Sequence, residues 1–290
     1  MPLKNSDDRP VPPALIARLP AEALAEDLGE AGDITSAATI AEDATARGVI
    51  RAREGGVLAG MDMAQAVFAA ADATLNCTAH KKDGDTLTAG CDIMTIAGSA
   101  RGLLVGERTA LNFLGHLSGI ATATAALAAR IAHTSARVAD TRKTTPNLRA
   151  LEKAAVRAGG GVNHRFGLHD AMLIKDNHLA LAGGIEDALA AARNAAGDGV
   201  EIEIEVDTLK QLDAVLASAV SVNAILLDNM PPDTLREAVK RIGGRTISEA
   251  SGGITAENIA AIAETGIDYI SVGGITHSAA CLDIGLDIDL

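Results

Sequence analysis

The chain is nearly devoid of aromatic residues, with no Trp, one Tyr and three Phe in 290 residues. Single-stranded nucleic acid is held by stacking bases on aromatic faces, so that function loses its usual means. Cations are also in deficit. The 25 Lys and Arg stand against 38 Asp and Glu, a formal net charge of −13, which opposes a phosphate-backbone partner. Cysteines number three, Cys77, Cys91 and Cys281, in no CxxC or metal-spaced set. They read as buried thiols in a reducing compartment, not as a disulfide framework. No run approaches about 18 uninterrupted apolar residues, the length of a membrane span. The polar start Met1-Pro2-Leu3-Lys4 has no apolar stretch behind it to make a signal peptide. Together the absences imply a cytoplasmic protein with no nucleic-acid or membrane partner. What is present is small and aliphatic: the apolar share is 48%, enough for the core of one large or two ordinary domains.

Against the negative total, one stretch is positive. Between Asp140 and His178 seven cations (Arg142, Lys143, Arg149, Lys153, Arg157, Arg165, Lys175) face four carboxylates (Asp140, Glu152, Asp170, Asp176). A cation cluster in an acidic chain points to an anionic small molecule. Arg149, Lys153 and Arg157 fall at helical spacing and read as a solvated helix face. Arg142, Lys143, Arg165 and Lys175 sit where regular elements end.

Residues 1–12 are polar and Pro-rich, a loose arm. Helical periodicity covers Pro13–Leu28, ending in a turn at Gly32–Ser36. Val49–Arg53 and Val57–Gly60 read as a strand and its return across Glu54-Gly55-Gly56, and Met61–Ala71 as a helix. Short strands follow to about Ala97. Leu103–Leu117 is a helix, interrupted at Gly119, with an Ala-rich helix continuing to about His133. Beyond Ala136 the pattern repeats. Apolar runs at Arg137–Ala139, Ala171–Ile174, Glu201–Val206, Ala224–Leu227, Arg245–Ile247 and Tyr269–Val272 alternate with helices centred near 153, 190, 213, 237 and 260. Strict alternation predicts parallel strands in an α/β fold. Six strands are fewer than a closed eight-stranded barrel needs, so an open-sided barrel is expected. A doubly wound sheet is second, since no G-x-G-x-x-G follows an early strand. Leu282–Leu290 reads as a further strand pairing outside the barrel. The resulting division is an N-terminal α+β sandwich domain, 1–118 completed by strand 281–290, and a barrel domain, 119–280.

Barrel chemistry sits at the carboxyl ends of the strands. There the sequence places Thr141-Arg142-Lys143, Lys175-Asp176-Asn177-His178, Glu205 with Asp207, Asp228-Asn229, Glu249-Ala250-Ser251-Gly252-Gly253 and Gly273-Gly274. The cations suit a ligand with several carboxylates or phosphates. Glu205 and Asp228 suit Mg²⁺ or ribose hydroxyls, or are acids favoured at helix N-termini. The glycine pairs let backbone N–H groups approach a phosphate. Among the histidines, His80, His116, His133 and His277 read as structural and His164 as a ligand-binding candidate. His169 and His178 lack the partners of a zinc motif.

Several ordered motifs carry a family resemblance. They are Glu107-Arg108-Thr109-Ala110-Leu111-Asn112, Asp140-Thr141-Arg142-Lys143-Thr144-Thr145-Pro146, Gly159-Gly160-Gly161-Val162-Asn163-His164-Arg165, Leu173-Ile174-Lys175-Asp176-Asn177-His178, Leu227-Asp228-Asn229-Met230, Glu249-Ala250-Ser251-Gly252-Gly253 and Ser271-Val272-Gly273. From about Gly32 to Leu282 the chain resembles the quinolinate phosphoribosyltransferases, decarboxylating enzymes that make nicotinate mononucleotide. The resemblance implies a sandwich domain plus an open barrel, at least a homodimer, and Arg108 reaching the neighbouring subunit's site. It assigns Arg142, His164, Arg165 and Lys175 to the two substrate carboxylates and Lys143 to the phosphates. It assigns Glu205 and Asp228 to ribose or Mg²⁺, and Ser251, Gly252 and Gly273 to the 5′-phosphate. Lys143, Lys175, Glu205 and Asp228 are the expected catalytic set. Asn147 stands where the family usually has Gly. The alternatives are a related molybdenum-transport-associated family, a Schiff-base aldolase using Lys175 or Lys143, and a non-catalytic binder of anionic metabolites.

Overall fold

The computed structural model describes residues 10–197 and 199–289. The expected arm at residues 1–12 therefore falls mostly outside the described residues. The chain divides into two compact units. One comprises 10–125, 146–160 and 278–289, and the other 126–145 and 161–277.

The first unit begins with helix α1 (Pro13–Leu28). The turn expected at Gly32–Ser36 is instead the cap of a short helix, α2 (Ile34–Thr39). There the Asp33 carboxylate accepts from the Thr35 and Ser36 amides at 3.1 and 3.0 Å. Strand β1 (Thr45–Ala52) lies between β5 (Asp92–Ser99) and the C-terminal strand β12 (Ile284–Asp289), all antiparallel. Strand β3 (Asn76–Ala79) completes the order β12-β1-β5-β3. The C-terminal stretch thus pairs outside the parallel sheet, as its alternating pattern predicts. The return strand does not pair with β1. Strand β2 (Gly56–Val57) pairs with β4 (Thr86–Leu87) instead, and Leu58 accepts from Gly84 N while donating to Asp85 O. Helix α3 (Met61–Ala71) puts Met61, Val67 and Phe68 into a core with Ile50, Ile96, Leu103, Leu111 and Leu282. The cysteines expected to be buried are not: Cys77 and Cys91 are half-buried at the edge of this core and Cys281 is exposed.

Helix α4 runs unbroken from Ala100 to Arg130, so the interruption expected at Gly119 does not occur. A Cβ there would collide with the Ala280 carbonyl oxygen, and the glycine serves close approach rather than a break. By length and hydropathy α4 could cross a membrane, but 61% of its most apolar window is buried inside the protein. Helix α5 (Arg149–Ala158) also corrects the sequence reading. Leu151, Glu152, Lys153, Ala155 and Val156 are all buried, and Lys153 is only 2% exposed. Those positions wrap more than half the helix circumference, so Lys153 does not belong to a solvated face. Asn147, in the turn before α5, has φ 67°, the left-handed region that glycine favours and asparagine tolerates.

The second unit holds six parallel strands in the order β6-β11-β10-β9-β8-β7. They are β6 (Arg137–Ala139), β7 (Ala171–Ile174), β8 (Glu201–Val206), β9 (Ala224–Asp228), β10 (Ile247–Ser251) and β11 (Tyr269–Ser271). Strands β6 and β7 are the two edges, with Val162 adding one parallel bridge beside Ala139, so the sheet is open-sided. Helix α5 joins β6 to β7, helices α6 (Asp176–Ala182), α7 (Ile185–Ala195), α8 (Leu209–Ala217), α9 (Pro232–Ile242) and α10 (Ile259–Ala263) join the later strands, and α11 (Gly274–His277) follows β11. Strand β10 starts two residues later than expected. Arg245 instead closes α9, donating to the carbonyls of Ile242 and Arg241 at 3.0 and 2.6 Å.

Candidate active site

Each parallel strand ends in residues that line one cavity of about 580 Å³. Beyond β6, Asp140 is completely buried. Its carboxylate accepts the His164 amide at 2.8 Å and the Asn163 side chain at 2.6 Å. This one acid therefore fixes the Asn163–Arg165 segment against the β6 end. Thr141 turns the chain, its hydroxyl accepting from the Lys143 amide at 3.0 Å, which brings both Arg142 and Lys143 to the cavity wall. The Thr276 hydroxyl holds the Lys143 carbonyl at 2.8 Å. The side-chain stem of Lys143 passes 3.0 Å from where a Cβ on Gly273 would lie.

Arg142 and Arg165 are the anion-binding half. Arg165 donates to the Ala171 carbonyl at 3.0 Å, while the buried Nε of each guanidinium has no hydrogen-bond partner among the described residues. Burial and then the neighbouring charge of Arg142 depress the Arg165 pKa, offset in part by Glu203 and Asp170. Two guanidiniums forced together with donors unspent are a standing demand for an anion.

Beyond β7, β8 and β9 come Lys175, Glu205 and Asp228. Lys175 opens α6, where its amide donates to His178 Nδ1 at 2.9 Å, and its ammonium forms an ion pair with the Glu205 carboxylate. Burial, and next the charge of Asp207, raise the Asp228 pKa. Lys175, a hydrogen bond from Asn229 and Lys143 work the other way. Glu205 and Asp228 offer oxygen donors only, the set a hard divalent cation takes alongside water and phosphate oxygens. After β10, Gly252 and Gly253 adopt φ 91° and 62°, a conformation that bares their amides.

Beneath this rim lies a buried polar layer. Glu203 and Glu249 are 4% and 0% exposed, and with His164 they bring ligand atoms within 4.8 Å of one another. That geometry could hold a metal, but the histidine tautomer opposes it. The Arg165 amide donates to His164 Nδ1 at 2.8 Å, so in the neutral ring the hydrogen resides on Nε2. Nε2 lies 3.0 Å from Glu203 Oε2 and 3.6 Å from Glu249 Oε1 without hydrogen-bond alignment to either, and carrying the hydrogen it offers no lone pair to a metal. Ser271 donates to Glu249 at 2.5 Å. Burial first, then the charge of Glu203, push the Glu249 carboxyl up to about 7.

Arg142, Lys143, His164, Arg165, Lys175, Glu205, Asp228, Ser251 and Gly252 all line the cavity. His164 does so while only 6% exposed, with both ring nitrogens turned to protein groups. Gly273 lies behind the Lys143 stem. Arg108 lines a separate cavity of about 360 Å³ in the first unit, with Glu26, Asp27, Asn112 and His116. His116 is structural, as expected: it bonds the buried Glu152 at 2.9 Å. Sequence reasoning passed over Glu203, although Glu201-Ile202-Glu203-Ile204-Glu205 puts it on the same strand face as Glu205. Asn229 and Glu249 were visible in motifs but had no role.

Family models match nearly the whole chain. The "Quinolinate phosphoribosyl transferase, C-terminal domain" covers residues 120–287 and its N-terminal counterpart 33–118. The chain is 47% identical to a nicotinate-nucleotide pyrophosphorylase [carboxylating] of Mycobacterium leprae over 92% of its own length and 94% of the relative's. A probable enzyme of the same name in Bacillus subtilis is 45% identical, over 91% and 90%. The solved nicotinate-nucleotide pyrophosphorylase of Francisella tularensis superposes with a TM-score of 0.92 at 37% identity, covering 98% of this chain and all of that one. With both domains matched and the parallel-sheet site in place, the chain belongs to the quinolinate phosphoribosyltransferase family.

Proposed function

We propose that the cavity at the ends of the parallel strands makes nicotinate mononucleotide, pyrophosphate and CO₂ from quinolinate and 5-phosphoribosyl-1-pyrophosphate. The observation that carries this reading is the pairing, in one cavity, of unspent guanidinium donors on Arg142 and Arg165 with the acids Glu205 and Asp228. Arg142 and Arg165 take the two ring carboxylates, joined by Lys175, and hold the pyridine nitrogen toward the ribose C1. His164 braces this end through the Arg165 amide. Glu205 and Asp228 receive the ribose hydroxyls or a Mg²⁺ ion. Mg²⁺, when bound there, neutralises charge on the departing pyrophosphate. Lys143 adds a cation on the same side, and Ser251, Gly252 and Gly273 surround the 5′-phosphate. The C1–O bond to pyrophosphate breaks, and the ring nitrogen forms the new bond to C1. Positive charge on that nitrogen then stabilises the carbanion left on the adjacent ring carbon when its carboxylate departs as CO₂, and a proton adds to that carbon in its place.

The rivals fit less well. Lys175 is ion-paired and 43% exposed, unlike the desolvated amine of a Schiff-base enzyme. A mere anion binder gains nothing from Glu205 and Asp228. The full Asn163-His164-Arg165 and Lys175-Asp176-Asn177-His178 sets stand here, which favours the quinolinate reading over the molybdenum-associated one. A homodimer with Arg108 donated to the partner's site, in the cytoplasm, completes the proposal. The large apolar side chains left bare beside β7, Leu168 at 75% and Leu181 at 90% exposure, support an oligomer. Pyrophosphate release that requires quinolinate tests the reaction; release independent of quinolinate, or none, overturns it. For Arg108, mixing inactive Arg108→Ala and Arg142→Ala proteins should regenerate activity in the mixed dimers. No recovery rules out donation across the interface.

A further inference from the structure

Asn229 has no part in the chemistry described so far, yet three of its groups are committed at the rim. It is one of two non-glycine residues with a left-handed backbone among the described residues, at φ 52°. L-residues with a Cβ avoid this conformation, Asn and Asp least. Its amide donates to the Ser251 carbonyl at 2.8 Å, crossing from the end of β9 to the end of β10. The left-handed turn brings its side chain back over the preceding residue, where Nδ2 donates to Asp228 Oδ2 at 2.5 Å. Only the nitrogen end can face a carboxylate, so Oδ1 points the other way. It lies where a Cβ on Gly252 would have to go.

We infer that Asn229 is a positioning residue for the phosphoribosyl donor, fixing the Asp228 carboxylate with its carboxamide N–H and seating the Gly252 loop against its Oδ1. The inference rests on the phosphoribosyl-transfer reading and adds to it the part that holds acid and phosphate loop at a set separation. The donor spans both groups, since its ribose meets Asp228 while its 5′-phosphate meets the glycine amides. The dicarboxylate meets neither. Asn229 therefore governs one substrate and not the other.

Asn229→Gly and Asn229→Asp separate this role from that of a turn former. Both residues accept the left-handed backbone. Glycine deletes the donor, whereas aspartate keeps the shape and sets a second anion against Asp228. Calorimetry with 5-phosphoribosyl-1-pyrophosphate and Mg²⁺, calorimetry with quinolinate, and steady-state kinetics are run on each variant. Loss of one hydrogen bond to a charged group predicts about tenfold weaker donor binding for Asn229→Gly, and the added repulsion about a hundredfold for Asn229→Asp. Quinolinate affinity should stay within about twofold in both. A turn former predicts donor affinity close to wild type in both variants, since both keep the left-handed backbone. Unchanged donor affinity in either variant, or an equal loss of quinolinate binding, would overturn the inference. Donor affinity is read without turnover, so a wild-type protein that binds the donor but transfers nothing counts against the reaction alone.

Discussion

Replacing Arg142 by Ala should separate binding from stability. The Arg142 guanidinium lines the cavity with a buried, unpartnered Nε, and its charge helps depress the pKa of Arg165. A fork-to-carboxylate contact supplies two charge-assisted hydrogen bonds, each worth about 1.5–3 kcal/mol net. Arg165 and Lys175 remain and take up part of the loss, so about 3 kcal/mol is expected. That is roughly a 150-fold rise in the quinolinate Kd at 1.4 kcal/mol per decade. Arg142→Lys keeps the charge and loses the fork, which predicts an intermediate loss of about tenfold. In the ligand-free protein, removing one of two crowded cations relieves repulsion. Both lie near solvent, so the gain is well under about 1 kcal/mol and Tm should hold or rise by about 1–2 °C. Isothermal calorimetry and thermal melting of the three proteins supply the numbers. An Arg142→Ala protein with wild-type quinolinate affinity, or with Tm several degrees lower, would refute the reasoning.

Glu249 offers a pH test. Its carboxyl is raised from the usual 4.5 to about 7, so the folded state binds the extra proton between those values. Its favourable contribution is complete below about pH 4.5 and is lost as pH rises through 7. Glu249→Gln should remove that slope and stabilise the protein above pH 7, on the order of 3 kcal/mol at 1.36 kcal/mol per unit; identical urea stability profiles from pH 5 to 8 would contradict it. Lys175→Met frees Glu205 from its internal cation, so Mn²⁺, read by electron paramagnetic resonance, should bind the substrate-free variant several-fold more tightly. Equal affinities would dismiss Glu205 as a metal ligand. Gly252→Ala meets both a φ of 91° and the Asn229 side chain, and should lower kcat/KM for the phosphoribosyl donor by tenfold or more. A wild-type value would show the loop free to adapt.

The parallel half was legible because its signals are local and periodic. Apolar runs of three to six residues alternate with helices, and charge or glycine follows each run, so strand ends and rim residues could be placed by number. The failures share a cause, namely that contacts distant in sequence override local preference. Gly119 reads as a break until the Ala280 carbonyl pressing on it is seen. Lys153 reads as surface until both sides of α5 prove covered. Strand β2 pairs with β4 rather than β1, a choice no local turn chemistry reveals. At the site the ligand-facing cations were legible, because they interrupt apolar patterns. The supporting layer was not. Glu203 sits inside a run of alternating acids with the appearance of a solvated edge, and only its neighbours in the folded sheet, His164 and Glu249 among them, bury it. The role of Asn229 depends on a left-handed φ and a neighbour on the next strand, neither of which spacing records.

The central claim is that one cavity couples phosphoribosyl transfer to decarboxylation. Quinolinate labelled with ¹³C in the carboxyl beside the ring nitrogen tests it most directly, with nicotinate mononucleotide, pyrophosphate and labelled CO₂ followed together. The account predicts the three in equal amounts, with no labelled CO₂ until 5-phosphoribosyl-1-pyrophosphate is added. Labelled CO₂ formed without the donor, or binding of both substrates with no product, would contradict it.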